Sequence, residues 1–280
     1  MTRPVTPSLA VTRPAPRRAG LVVHGLVSGL LGAALLGLAV LGDAPLLTGV
    51  VVLQALSAVA FLALVDVPAS AGIFVVGTAA AIAADVVVEV DGGRVGGLAG
   101  VVALSLVGGL LHQLVRRDRA RVTESLADSL VVVVLVCSAA CLPAALLHTG
   151  GTWPLRGGLA AAAAALLVGR LSDAVVARPA LSLIASRAWP GLLLSLGVGA
   201  LVSALVAGGH LSTGRAGLVG LVSAACVATV DLALDLAGAE LSPTNEDARR
   251  VAALRSASVV LPYVLLGPVL LVVVVLFSGA

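Results

Sequence analysis

The sequence predicts an all-α, polytopic membrane protein of about nine spans, with its N-terminus on the cytoplasmic side. Three observations predict it. Of 280 residues, 60% are hydrophobic and only 11% charged, with a mean hydropathy of +1.15. A soluble domain of this length lacks the polar residues to cover itself at that composition. The apolar runs are continuous rather than alternating, which excludes a β-barrel. Their lengths cluster near 20 residues, enough to cross a hydrocarbon core of about 30 Å.

Taken in order, residues 1–20 are rich in Pro and Arg and read as a disordered cytoplasmic tail. The run after them is too long for a signal-peptide core and has no A-x-A site, so it reads as a retained first span. Residues 21–280 read as one transmembrane domain. Its spans fall at 21–41, 46–65, 69–88, 95–115, 126–148, 158–176, 189–207, 217–238 and 258–277. Asp85 interrupts the third, and Arg170 and Asp173 interrupt the sixth. The connecting segments are too short for a second, soluble domain. No internal repeat is visible, so the inverted-repeat design of many transporters finds no support.

Arginine placement sets the orientation. All 17 basic residues are arginine, a bias that together with the Ala, Val, Gly and Leu excess suggests a GC-rich bacterial genome. With the N-terminus inside, the inside segments hold Arg3, Arg13, Arg17, Arg18, Arg116, Arg117, Arg119, Arg121, Arg178, Arg187, Arg249, Arg250 and Arg255. The outside segments hold only Arg94, Arg156 and Arg215. That positive-inside bias places the C-terminus outside and supports an odd number of spans. The net charge of +3 therefore belongs to membrane edges and is no sign of nucleic-acid binding. Cys137, Cys141 and Cys226 lie in apolar runs without metal or redox spacing and read as small packing residues.

Function is sought at the intramembrane acids. Asp231 and Asp235 stand four residues apart in the apolar run 217–239, on one helix face. An acid in mid-span costs about 2.5–3.5 kcal/mol on insertion scales, so it needs a partner, a water-filled cavity or an ion. The orientation puts Asp235 about one turn, and Asp231 about two turns, from the cytoplasmic boundary. This is also a helix C-terminus, where the macrodipole disfavours an anion and a nearby cation is required. The segment 242–255 reads as a short cytoplasmic helix, with Ser242 as N-cap, Pro243 at the first position and Glu246 and Asp247 in the first turn. Arg250 can pair with Glu246, leaving Arg249 and Arg255 for other partners. In the sixth span, Arg170 and Asp173 can pair at i,i+3. Arg178 and Arg187 bracket the following inside segment, where forked hydrogen bonds can hold a lipid phosphate or the charges can simply fix topology. His112 can snorkel or meet headgroups, and His24, His148 and His210 show no ligand spacing. Asp85, Glu89 and Asp91 lie toward the outside, and Asp128 toward the inside. No Walker A, GxGxxG, HExxH or GxSxG context is present.

The order of these features resembles bacterial phosphatidate cytidylyltransferase, the CDP-diacylglycerol synthase of the CdsA type. Ser172-Asp173 resembles that family's Ser-Asp at the end of a span. Trp189-Pro190-Gly191 resembles its Trp-Glu-Gly after a basic loop, with Arg187 where a lysine is usual. Val230-Asp231-Leu232 sits where it has Gly-Asp-Leu, and Ser256 and Pro262 where a Ser and a Pro open its last span. The resemblance implies a cytoplasm-facing, Mg²⁺-dependent site that makes CDP-diacylglycerol from CTP and phosphatidate. Carried over by residue, Asp231, Asp235 and Asp173 would be metal ligands, and Arg178, Arg187, Arg249 and Arg250 would bind phosphate or lipid. The chain departs from the signature: it has no lysine and no His-Gly-Gly turn, Pro190 replaces the glutamate, and no acid follows Asp247 before the last span. A two-metal phosphoryl site needs those acids and cations. The reading is therefore of a divergent relative, inactive or altered in activity. It would sit in a bacterial cell membrane, with membrane lipids and either a second copy or another membrane protein as partners. The competing readings are a small-solute or ion transporter with an aspartate relay, and a structural or assembly protein without a small-molecule site.

Overall fold

The structure is a computed structural model that describes residues 18–65, 70–116, 121–148, 151–175, 189–239 and 245–278. Among the described residues there are nine helices and no strand: α1 (Arg18–Leu41), α2 (Asp43–Leu64), α3 (Ser70–Val90), α4 (Leu98–Val115), α5 (Val122–Leu147), α6 (Thr152–Val175), α7 (Trp189–Ala207), α8 (Thr213–Ala239) and α9 (Asn245–Ser278). Each is long and apolar enough to cross a membrane. The chain is a multi-pass membrane protein. Large side chains such as Leu30, Leu104, Val115 and Leu205 point outward, as a lipid-facing surface requires. Of the N-terminal segment expected at 1–20, residues 1–17 lie outside the described residues.

Three of the differences from the sequence expectation have a clear local reason. α6 starts at Thr152 instead of residue 158, because Pro154 falls in the first turn, where its missing N–H costs nothing. α8 starts at Thr213 because Ser212 caps it, its Oγ accepting from the Arg215 N–H at 3.4 Å. The short cytoplasmic helix expected at 242–255 is no separate element from Asn245 onward. It is the first turns of a 34-residue α9 that runs on into the last span. Nothing between Arg255 and Ser258 can break a helix, so the two segments fuse. Ser242 and Pro243, read as its cap and first position, lie outside the described residues.

The helices form two groups that share α9. One is α1, α6, α7, α8 and α9, and the other is α2, α3, α4, α5 and α9. α5 is the most enclosed helix, with 78% of its apolar window buried against 22% for α4. Small residues set the close crossings. A Cβ on Gly220 of α8 would strike the Gly199 carbonyl of α7, and one on Gly267 of α9 would strike the Ser138 carbonyl of α5. This is how membrane helices gain packing where lipid supplies no hydrophobic drive. At the end where α1 meets α2, Gly42 turns the chain at φ +124°, a conformation that suits glycine. There Arg156 of α6 donates to the Ala39 and Val40 carbonyls, closing the C-terminus of α1.

Candidate functional site

The acids singled out in the sequence meet at the opposite end of the first helix group, where α1 and α7 begin and α6 and α8 end. Arg170, in the last two turns of α6, is buried to 4% exposure. One of its terminal nitrogens donates to Asp231 Oδ1 at 2.5 Å, and Asp231 is fully buried. The other terminal nitrogen lies 3.6 Å from Asp235 Oδ1, whose side chain is 19% exposed. Asp173, one turn further along α6, is also within electrostatic reach of Arg170. A short, charge-assisted contact of this kind is the strong form of the hydrogen bond. It supplies the cation that an acid near a helix C-terminus requires.

Two neighbouring helices are shaped around the pair. On α1, a Cβ at Gly25 would come within 2.9 Å of Arg170 Cβ, so glycine there lets α1 lie against α6 at the charge. The same face brings His24 Nε2 to 3.5 Å from Asp231 Oδ1, an electrostatic approach longer than a good hydrogen bond. Farther along it, Tyr263 of α9 donates its hydroxyl to the Ser28 carbonyl at 2.6 Å. Gly32 leaves room for the ring of Tyr263. On α7, a Cβ at Gly191 would collide with the Asp173 carboxylate and approach the Gly169 carbonyl at 3.2 Å. Segments far apart in sequence thus converge: Asp173, Gly191 and Asp231 belong to one corner of the bundle.

The structure does not place every expected residue. Asp231, Asp235 and Asp173 are brought together around Arg170. Arg178 and Arg187 lie outside the described residues, as does the side chain of Arg249. Arg250 is exposed in the first turns of α9. It precedes by one turn Leu254, which packs toward Gly238 at the end of α8. The i,i+3 reading of Arg170 and Asp173 missed the stronger partner, since Arg170 reaches across to α8. His24 carries no ligand spacing in the sequence. The signal that could have found it is the small-residue face His24, Gly25, Ser28, Gly29, Gly32, which marks a close helix crossing. His112 packs over Gly72. Cys137 and Cys141 are buried free thiols, in keeping with packing residues.

Chemically, the corner is an ion-pair centre. Among the described residues, no three His, Cys, Asp or Glu side chains are grouped to hold a metal ion. A hollow of about 410 Å³ lies between α8 and α9, lined only by apolar residues from Leu218 to Phe277, and includes none of these charges. Comparison with protein-family models, with curated proteins and with solved structures finds no match.

Proposed function

We propose that the chain is a divergent, non-catalytic relative of phosphatidate cytidylyltransferase that resides in a bacterial cell membrane. In this reading a guanidinium stands where a relative would keep a metal ion. The protein uses its arginine-rich face to hold lipid phosphate or a membrane partner. One observation carries it: Arg170 is bonded to Asp231 with both side chains buried. A carboxylate oxygen so occupied is a poor ligand for a divalent ion, and the residues present do not fit Mg²⁺. The meeting of Asp173, Gly191 and Asp231 supports the resemblance, because these residues come from three of its matching segments. Exposed Arg250 and Arg255 support the phosphate-binding role.

The test is purified protein in nanodiscs with CTP, phosphatidate and Mg²⁺. Expected is no CDP-diacylglycerol, with retention of phosphatidate over phosphatidylcholine that weakens in Arg250→Ala/Arg255→Ala. Turnover that Asp231→Asn abolishes would overturn the non-catalytic reading. Equal retention of both lipids would remove the phosphate role.

His24 beside Asp231 favours a second reading, a proton relay in an ion transporter. It requires proteoliposome proton flux that falls in Asp231→Asn and His24→Gln.

A further inference from the structure

The second helix group buries a different acid, and among the described residues that acid has no cation. Asp85 of α3 is 6% exposed and Gln54 of α2 is 1% exposed. Gln54 Nε2 donates to Asp85 Oδ1 at 2.9 Å and to the Val136 carbonyl of α5 at 3.1 Å. Both amide hydrogens are therefore used. Turning the amide over would set its oxygen against two acceptors, so the hydrogen-bond network fixes its orientation. Two buried oxygens remain without a hydrogen-bond partner, Gln54 Oε1 and Asp85 Oδ2. Both are acceptors when Asp85 is ionised.

The surrounding groups supply no donor to them. Ser57 Oγ donates to the Gln54 carbonyl and Thr78 Oγ1 to the Phe74 carbonyl. From α5, the titratable group facing Asp85 is the Cys137 thiol. On α3 itself, Glu89 is exposed one turn further on. On α4, His112 packs at the far end of α3 over Gly72. On α2, Asp43 stands at the start of the helix, three turns from Gln54. Among the described residues, no charged side chain pairs with Asp85. A buried polar atom without a partner, in a medium that cannot hydrate it, is expensive, and a bare carboxylate far more so. One additional hydrogen answers the deficit, because a proton on Asp85 turns one orphaned acceptor into a donor.

Beside the pair, a hollow of about 140 Å³ lies between α2 and α3. Val51 and Ile82 at its rim are outward-facing and exposed, and Ala81 offers it only a methyl group. We propose that Asp85 is a proton-binding site: its carboxyl is held as the neutral acid, gripped by Gln54, and the hollow between α2 and α3 opens it to the lipid side. This site is independent of the Arg170 centre, where the acid is matched by a guanidinium.

Two measurements on the full-length protein test it. Infrared spectra in lipid at neutral pH should show a carboxylic-acid carbonyl stretch that Asp85→Asn removes. That variant keeps the acceptor for Gln54, and monodisperse elution checks that it folds. Absence of an Asp85-dependent band would overturn the proposal. The second probe is dicyclohexylcarbodiimide on the wild-type protein, which needs no variant. The acid O–H adds across one C=N bond: the carboxyl oxygen bonds to carbon and the proton passes to nitrogen. The O-acylisourea then rearranges to a stable N-acylurea with no leaving group. Peptide mass spectrometry should find the adduct on Asp85 and none on Asp231, with labelling falling severalfold at alkaline pH. Adduct on Asp231 instead would overturn the proposal. An infrared band without an adduct would overturn its lipid access.

Discussion

Replacing Arg170 with alanine should be among the most damaging single changes in the chain. Asp231 is fully buried, and its Oδ1 takes the Arg170 donor at 2.5 Å. Without the guanidinium, the carboxylate faces His24 at 3.5 Å, with Asp235 and Asp173 close by. Removing one partner of a buried pair costs about 3–5 kcal/mol, chiefly from the charge left behind. That is roughly a hundredfold to several-thousandfold in the folding equilibrium, at about 1.4 kcal/mol per tenfold. The paired change Arg170→Met/Asp231→Leu removes both charges and keeps most of the volume. It should recover much of that loss, the remainder being what Asp173 and Asp235 lose with the same cation. Asp235→Asn touches a partly exposed group at 3.6 Å and should cost under about 1 kcal/mol. The assay is reversible unfolding in mixed micelles against denaturing detergent, followed by helical circular dichroism. An Arg170→Ala variant within about 1 kcal/mol of wild type would refute the reasoning, as would a double variant no better than the single.

Other outcomes follow from single contacts. Gly191→Ala should cost about 1–3 kcal/mol, since the new Cβ meets the Asp173 carboxylate and the Gly169 carbonyl. Gly197→Ala, on the same helix with open space around it, should be neutral or mildly stabilising by thermal unfolding. Tyr263→Phe leaves the Ser28 carbonyl without its 2.6 Å donor, and a loss of about 1–3 kcal/mol is expected in the same unfolding assay.

The spans were legible because each apolar run is long enough to stand alone as a signal. All nine runs appear as helices, and the errors sit at their ends. Pro154 and Ser212 act on the first turn of a helix, where hydropathy averaged over a window is blind. The fusion of the 245–255 segment with the last span was missed because arginines look like a boundary to a hydropathy reading, while the backbone needs only an absence of breakers. The position of Asp231 was equally visible, as was its need for a cation. Which cation was not. Arg249 and Arg255 are near in sequence and Arg170 is 61 positions away, and a contact between α6 and α8 leaves no periodicity in either helix. The same holds for His24, which carries no spacing signal and meets Asp231 only because Gly25 lets α1 approach α6. Asp85 was visible as an interruption of the third span. Its grip by Gln54 was not, since the two residues lie on different helices.

In the proposed reading Arg170, and no metal ion, neutralises Asp231. Titration with Mn²⁺ tests it most directly, because this paramagnetic ion takes the oxygen ligands that suit Mg²⁺. Free Mn²⁺ is read by electron paramagnetic resonance, with and without CTP. Expected is identical free Mn²⁺ over wild type and Asp231→Asn at every concentration. One equivalent of bound Mn²⁺ that disappears in Asp231→Asn would contradict the claim.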